Sequence, residues 1–138
     1  MAVITIVGSG MMGSALAFPA RENGHEVRLV GTHLDRDIID YARKNNRHPK
    51  FDRDFPDGLK FYQIEQLDEA LKDSKLVIGG VSSFGVDWFA DKVLPRIADG
   101  ANMGIHAMIT VAMIALGLGA GSLIDRIIHS RSLKNHHV

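Results

Sequence analysis

Six residues near the amino terminus, Gly8-Ser9-Gly10-Met11-Met12-Gly13, constrain this chain more than any other feature. They fit the pattern Gly-x-Gly-x-x-Gly, a weak signal when it stands alone. Here it follows the β-branched apolar run Ala2 to Val7, which reads as a strand. It also opens Met11 to Asn23, which reads as a helix stopped by Asn23-Gly24. In that context each glycine has a purpose. Gly8 permits the tight turn out of the strand, Gly10 lets a pyrophosphate approach the backbone, and Gly13 lets the helix pack closely on the sheet. The free N–H groups and the positive end of the helix dipole then face the phosphates of a dinucleotide. The alternative is a plain glycine turn between strand and helix.

The rest of the pattern decides what surrounds that turn. Glu26 to Gly31 reads as a second strand, and Asp35 to Lys44 as a helix with Ile38, Ile39 and Ala42 on its apolar face. Asn45 to Gly58 reads as loop, Leu59 to Ile64 as a short third strand, Glu65 to Asp73 as a helix and Leu76 to Val81 as a fourth strand. Val86, Phe89, Val93 and Ile97 share one face of a further helix. Strands alternating with helices predict an α/β fold, a doubly wound parallel sheet of Rossmann type, over residues 1 to 97. Pro19 falls inside the first helix and is expected to kink it or shift its start.

After Gly100 the character changes. Ala101 to Ile124 is apolar and glycine-rich, long enough to cross a membrane but diluted by Asn102, His106 and Thr110. The favoured reading of residues 98 to 138 is a last strand, a turn at Gly117, Gly119 and Gly121, and a helix from Leu123, all packed on the same domain. Ser122 and Asp125 have capping-box-like spacing for that helix.

Composition excludes several functions. The formal net charge is zero, so no strongly basic field draws nucleic acid. There are no cysteines, which removes disulfides, thiolate metal sites and a cysteine nucleophile. Met1 to Thr5 has no basic segment of the secretory kind. A cytoplasmic protein is the expectation. No metal site is expected. His129, His136 and His137 read as a solvated terminal run, and Asp52, Asp54 and Asp57 as a solvated loop without calcium spacing. His25 and His33 read as surface or loop residues, and His106 as a core histidine. Trp88 and Phe89 read as core or interface. No Walker A lysine and no nucleophile elbow is present.

The second strand ends Leu29-Val30-Gly31-Thr32-His33, without the acid that usually holds the ribose 2′-hydroxyl of NAD. Thr32 and His33 can donate hydrogen bonds, and Arg36 is near enough in sequence to meet a 2′-phosphate, a tilt toward NADP. Asp35 reads as the N-cap of the next helix. Val81-Ser82-Ser83-Phe84-Gly85 follows the fourth strand, where open α/β sheets bind ligands, and is expected to flank the nicotinamide. Capping by Ser82 or Ser83 is compatible with that role. His48 is the histidine expected nearest the cofactor cleft.

The blocks Ile6 to Leu16, Gly24 to Thr32, Arg47-His48-Pro49 and Val77 to Ser83 resemble the N-terminal domain of NAD(P)-dependent glycerol-3-phosphate dehydrogenase, especially its archaeal-looking branch. The likeness runs from about Val3 to Ile97. Ketopantoate reductases and coenzyme-F420-dependent NADP reductases share the opening block. The resemblance implies hydride transfer at C2 of glycerol 3-phosphate or dihydroxyacetone phosphate. It implies that Ser9, Gly10, Met11 and Met12 contact the pyrophosphate, and that Ser82, Ser83 and Phe84 lie on the nicotinamide side. The family's substrate-phosphate lysine and helical C-terminal domain have no counterpart here, since no lysine lies between Lys92 and Lys134. The expectation is a cofactor domain that does not turn substrate over by itself, or a non-catalytic nucleotide-binding module. A phosphorylated substrate would need the missing domain. Any apolar surface that domain would cover is expected to pack against the tail or a second copy, as a homodimer.

Overall fold

The computed structural model describes residues 1–82, 85–99 and 108–111. Five parallel strands form one sheet: β1 (Val3–Val7), β2 (Glu26–Val30), β3 (Lys60–Tyr62), β4 (Leu76–Gly79) and β5 (Met108–Val111). Their spatial order is β3-β2-β1-β4-β5, so the chain runs outward in one direction, returns to the centre, and runs outward in the other. The order reverses between β1 and β4, and a crevice opens beyond their carboxyl ends. β1 is central, with Ile6 opposite Leu29 on one side and Ile78 on the other.

A central parallel strand is covered on both faces, which is why β1 reads as a continuous apolar run. Ile4 and Ile6 face α1 (Met11–Glu22) in a core with Leu16, Phe18, Val27, Leu29 and Phe55. Val7 faces the opposite core with Leu67, Leu71, Val77, Phe89 and Val93. Thr5 is the polar exception and is fully buried. Its hydroxyl donates to the Ala70 carbonyl at 2.7 Å and lies 2.6 Å from the Ser74 hydroxyl. That bond ties the strand to α3 (Leu67–Leu71).

Some boundaries depart from the sequence pattern for local reasons. α1 continues through Pro19, whose exposed position leaves the carbonyl it cannot serve next to solvent. α2 spans Arg36–Asn45 and stops at Asn46, which is left-handed with φ 51°. The expected helix from Glu65 begins as a 3-10 turn, Ile64–Gln66, before α3. The expected single helix after β4 is two, α4 (Val86–Lys92) and α5 (Leu94–Asp99). Pro95 has no N–H to continue the ladder there, while Phe89, Val93 and Ile97 still share the buried face.

β5 pairs in parallel with β4, Met108 opposite Leu76 and Val111 opposite Gly79. A strand therefore lies within the stretch weighed above as a membrane span. No helix among the described residues is long and apolar enough to cross a membrane. His106, the glycine turn, the Ser122 cap, the helix from Leu123 and the terminal histidines lie outside the described residues, as do Ser83 and Phe84.

Candidate functional site

The turn after β1 is built by close approach. Gly8 has φ +113°, and a Cβ there would stand 2.5 Å from the Gly80 carbonyl oxygen. A Cβ on Gly13 would stand 1.8 Å from the Gly8 carbonyl oxygen. No larger residue fits either place without moving backbone. Gly10 differs: a Cβ there would meet nothing within 4 Å, because it would project into open space. That space is a cavity of about 410 Å³, lined by Gly8 and Gly10 on one side, Thr32, His33 and Asp35 on another, and Gly80 to Ser82 opposite.

The N-terminus of α1 opens on this cavity. Its first turn carries no acidic residue, and among the described residues no side chain caps it. The unpaired N–H groups and the positive end of the dipole are therefore left for an external anion. A pyrophosphate fits these residues, since the cradle is one a single Cβ on Gly10 would fill.

Asp35 stands in the second wall, at the N-cap position the sequence suggests. It makes no side-chain cap bond to α2. Its Oδ2 instead accepts the Ser9 N–H at 3.1 Å and the Thr32 N–H at 3.0 Å. A carboxylate thus stands in the cleft wall five residues after the end of β2, folded back to the glycine turn. Arg36, the residue expected to meet a 2′-phosphate, does not line this cavity. Its guanidinium is exposed and paired with Glu65.

The other expected residues divide between two flanking hollows. Met11 and Met12 are exposed and line a smaller hollow of about 230 Å³ with Gly10 and Ser82. Ser82 and Val81 also line the central cavity, so these two spaces adjoin. On the far side His33 and Trp88 line both the central cavity and a hollow of about 450 Å³ that includes Lys92 and Arg96. The His33 and Trp88 rings lie 5.6 Å apart. Trp88, expected in the core or an interface, packs in part against the core that holds Val7 and Phe89 and also lines the cleft.

His48 lies in the loop after α2 and is 2% exposed. Burial lowers its pKa, as does Lys50, while the Asp35 carboxylate and the Ser9 backbone oppose that shift. It does not line the central cavity.

The match to a known family follows this geometry. Residues 3–130 match the family described as NAD-dependent glycerol-3-phosphate dehydrogenase N-terminus. The chain belongs to that family. As its N-terminal NAD-binding domain it is built for NAD or NADP. The match continues well past Ile97, where the likeness read from sequence ends, and takes in β5. The NADP(+)-dependent glycerol-3-phosphate dehydrogenase of Archaeoglobus fulgidus is 35% identical over 97 residues, covering 70% of this chain and 29% of that protein. The glycerol-3-phosphate dehydrogenase [NAD(P)+] of Leuconostoc citreum is 29% identical over 126 residues, covering 88% of this chain and 34% of that protein. The chain thus spans about a third of the length of these curated relatives. The solved glycerol-3-phosphate dehydrogenase of Coxiella burnetii superposes with a TM-score of 0.63 at 24% identity, covering 94% of this chain and 37% of that one, a likeness of fold.

Proposed function

We propose that this domain holds an extended NAD(P) molecule across the three adjoining hollows and serves a dehydrogenase acting on glycerol 3-phosphate or dihydroxyacetone phosphate. The observation that carries the reading is the open space over Gly10, at the uncapped N-terminus of α1 and facing the Asp35 wall. The pyrophosphate takes the N–H groups of Gly10 to Met12. The adenosine ribose lies by Thr32, His33 and Asp35. The nicotinamide lies on the side of Met11, Met12 and Ser82, with Ser83 and Phe84 following in the chain.

A bound nicotinamide supplies hydride exchange with an alcohol carbon while a base takes the hydroxyl proton. The hollow at that end is lined by Gly10, Met11, Met12, Gly80, Val81 and Ser82, none of them titratable. Among the described residues no base stands there. This supports a cofactor-holding role for the described residues, with the proton acceptor and the substrate-phosphate site supplied from elsewhere. The Asp35 carboxylate favours an unphosphorylated ribose, which moves the cofactor preference from the NADP tilt of the sequence toward NAD.

Calorimetric titration with NADH and NADPH tests the reading. Micromolar binding, tighter for NADH, is the expected result. No binding of either nucleotide overturns it. A turnover assay with glycerol 3-phosphate separates a cofactor domain from a complete enzyme, and no turnover by this chain alone is expected.

A further inference from the structure

The imidazole of His48 is held rigidly on one side. Its Nδ1 accepts the Lys50 N–H at 3.0 Å. A ring nitrogen that accepts carries no proton, so the neutral ring carries its proton on Nε2. The ring lies 4.6 Å from Phe51, which in turn packs near Phe18 of α1. The side chain is thus packed away from water.

The other edge of the ring is unsettled. Nε2 is buried and meets no hydrogen-bond partner among the described residues. The Ser9 hydroxyl, equally buried, also meets none. Buried donors without acceptors are few in native proteins and costly. The Ser9 backbone carbonyl is near enough to act on the ring as an acceptor although no bond of good geometry forms, and the Ser9 N–H is itself held by the Asp35 carboxylate.

A peptide unit is planar and trans, so its C=O and N–H point in opposite directions. The Ser9 carbonyl and the Gly10 N–H belong to one such unit. The Ser9 carbonyl already accepts the Ser14 hydroxyl at 2.8 Å, below the turn. Any donor that holds this carbonyl downward aims the Gly10 N–H upward, into the cavity where the pyrophosphate is placed.

We infer that His48 is a positioning residue for the nucleotide: its Nε2–H, with the Ser14 hydroxyl, holds the Ser9 carbonyl down so that the Gly10 N–H faces the pyrophosphate. The inference rests on the cofactor reading above. The unmet Nε2–H finds its acceptor as the turn settles onto the anion.

Two substitutions separate the edges of the ring. His48→Asn keeps an acceptor at the place of Nδ1 and removes the Nε2 donor. His48→Gln keeps a donor at the place of Nε2 and removes the Nδ1 acceptor. Titrated with NADH, His48→Asn is expected to bind about tenfold more weakly than the unsubstituted chain, and His48→Gln within about threefold. Equal binding by His48→Asn and the unsubstituted chain overturns the role, and so does an equal loss in both variants. Where a variant does not fold, the unsubstituted chain carries the test through the NMR resonances of the His48 Nε2–H and the Gly10 amide. Both are expected to move as NADH is added, and an Nε2–H unmoved by saturating NADH overturns the role. An unsubstituted chain that binds no NADH overturns the cofactor reading itself, and this inference with it.

Discussion

The Ser9 N–H donates to the Asp35 carboxylate at 3.1 Å, joining the glycine turn after β1 to the exit of β2 across twenty-six residues. One oxygen, Oδ2, takes this bond and the one from Thr32, leaving Oδ1 for a further donor such as a ribose hydroxyl. Asp35→Asn removes the charge while keeping the shape. It is expected to shift the ratio of NADH to NADPH affinity toward NADPH by about tenfold, because charge-assisted hydrogen bonds contribute about 1.5–3 kcal/mol and a 2′-phosphate is no longer repelled. Parallel titrations with both nucleotides measure the ratio, and an unchanged ratio removes Asp35 from cofactor selection.

Gly10 and Gly13 are expected to behave oppositely when each becomes alanine. Gly13→Ala forces a Cβ against the Gly8 carbonyl and is expected to cost about 3 kcal/mol or more of folding stability. Gly10→Ala meets nothing in the folded chain, so its melting temperature is expected to stay close to that of the unsubstituted chain, while NADH binding weakens at least about tenfold. Thermal unfolding and calorimetry on the same pair of variants separate the two roles. A Gly10→Ala chain that binds NADH normally would place the pyrophosphate elsewhere.

Thr5 tests the packing of β1 on α3. Thr5→Val preserves shape but loses the bond to the Ala70 carbonyl, and about 1 kcal/mol of stability is expected to go with it. Urea denaturation reads the difference. A neutral result would mean that the Ser74 hydroxyl, 3.2 Å from the same carbonyl, takes over the bond.

His48 gives stability a pH dependence of known sign. Burial holds its folded-state pKa below the ordinary value of 6.5. Between the folded and unfolded values the unfolded chain binds the proton more readily, so stability falls as pH drops through 6.5 and levels off below the folded value. The Asp35 carboxylate and the Lys50 ammonium both bear on this ring, in opposite directions. Denaturation midpoints from pH 8 to pH 5 are expected to fall more steeply for the unsubstituted chain than for His48→Asn. Identical slopes would assign the pH dependence to other groups.

Glu26 sets a second, more acidic window. Its hydrogen bond to Lys60 is the chief cause of a pKa held below 4.5, helped by Arg28 and opposed by burial. The stability it contributes is present above 4.5 and is lost as pH falls through the folded-state value. The pair is partly exposed, so added salt is expected to weaken the effect. Acid unfolding of Glu26→Gln beside the unsubstituted chain shows whether that contribution is present.

The fold was legible in the sequence because its signals are local. The apolar run of β1, the spacing of Phe89, Val93 and Ile97, and three glycines at fixed offsets each reflect the geometry of a few neighbouring residues. Short-range conflicts were harder to read: Pro95 splits a helix that periodicity alone draws as one, and Pro19 sits inside a helix that proline chemistry alone would kink or shift.

The amino-acid sequence by itself determined a parallel sheet, a phosphate-binding turn after its first strand, and the kind of ligand that turn receives. Tertiary structure alone decided which side chains complete the site. Asp35 looks like a helix cap in sequence, yet its carboxylate bends back to the glycine turn because the β1–β2 pairing brings Ser9 and Thr32 together. Arg36 looks like a phosphate ligand, yet Glu65 holds it outside the cavity. Trp88 lines the cleft from α4, whereas His48 is buried in the loop after α2 without lining it. Pattern and propensity act over a few residues, whereas the direction of a side chain within a cleft depends on which distant backbone groups the folded sheet offers it.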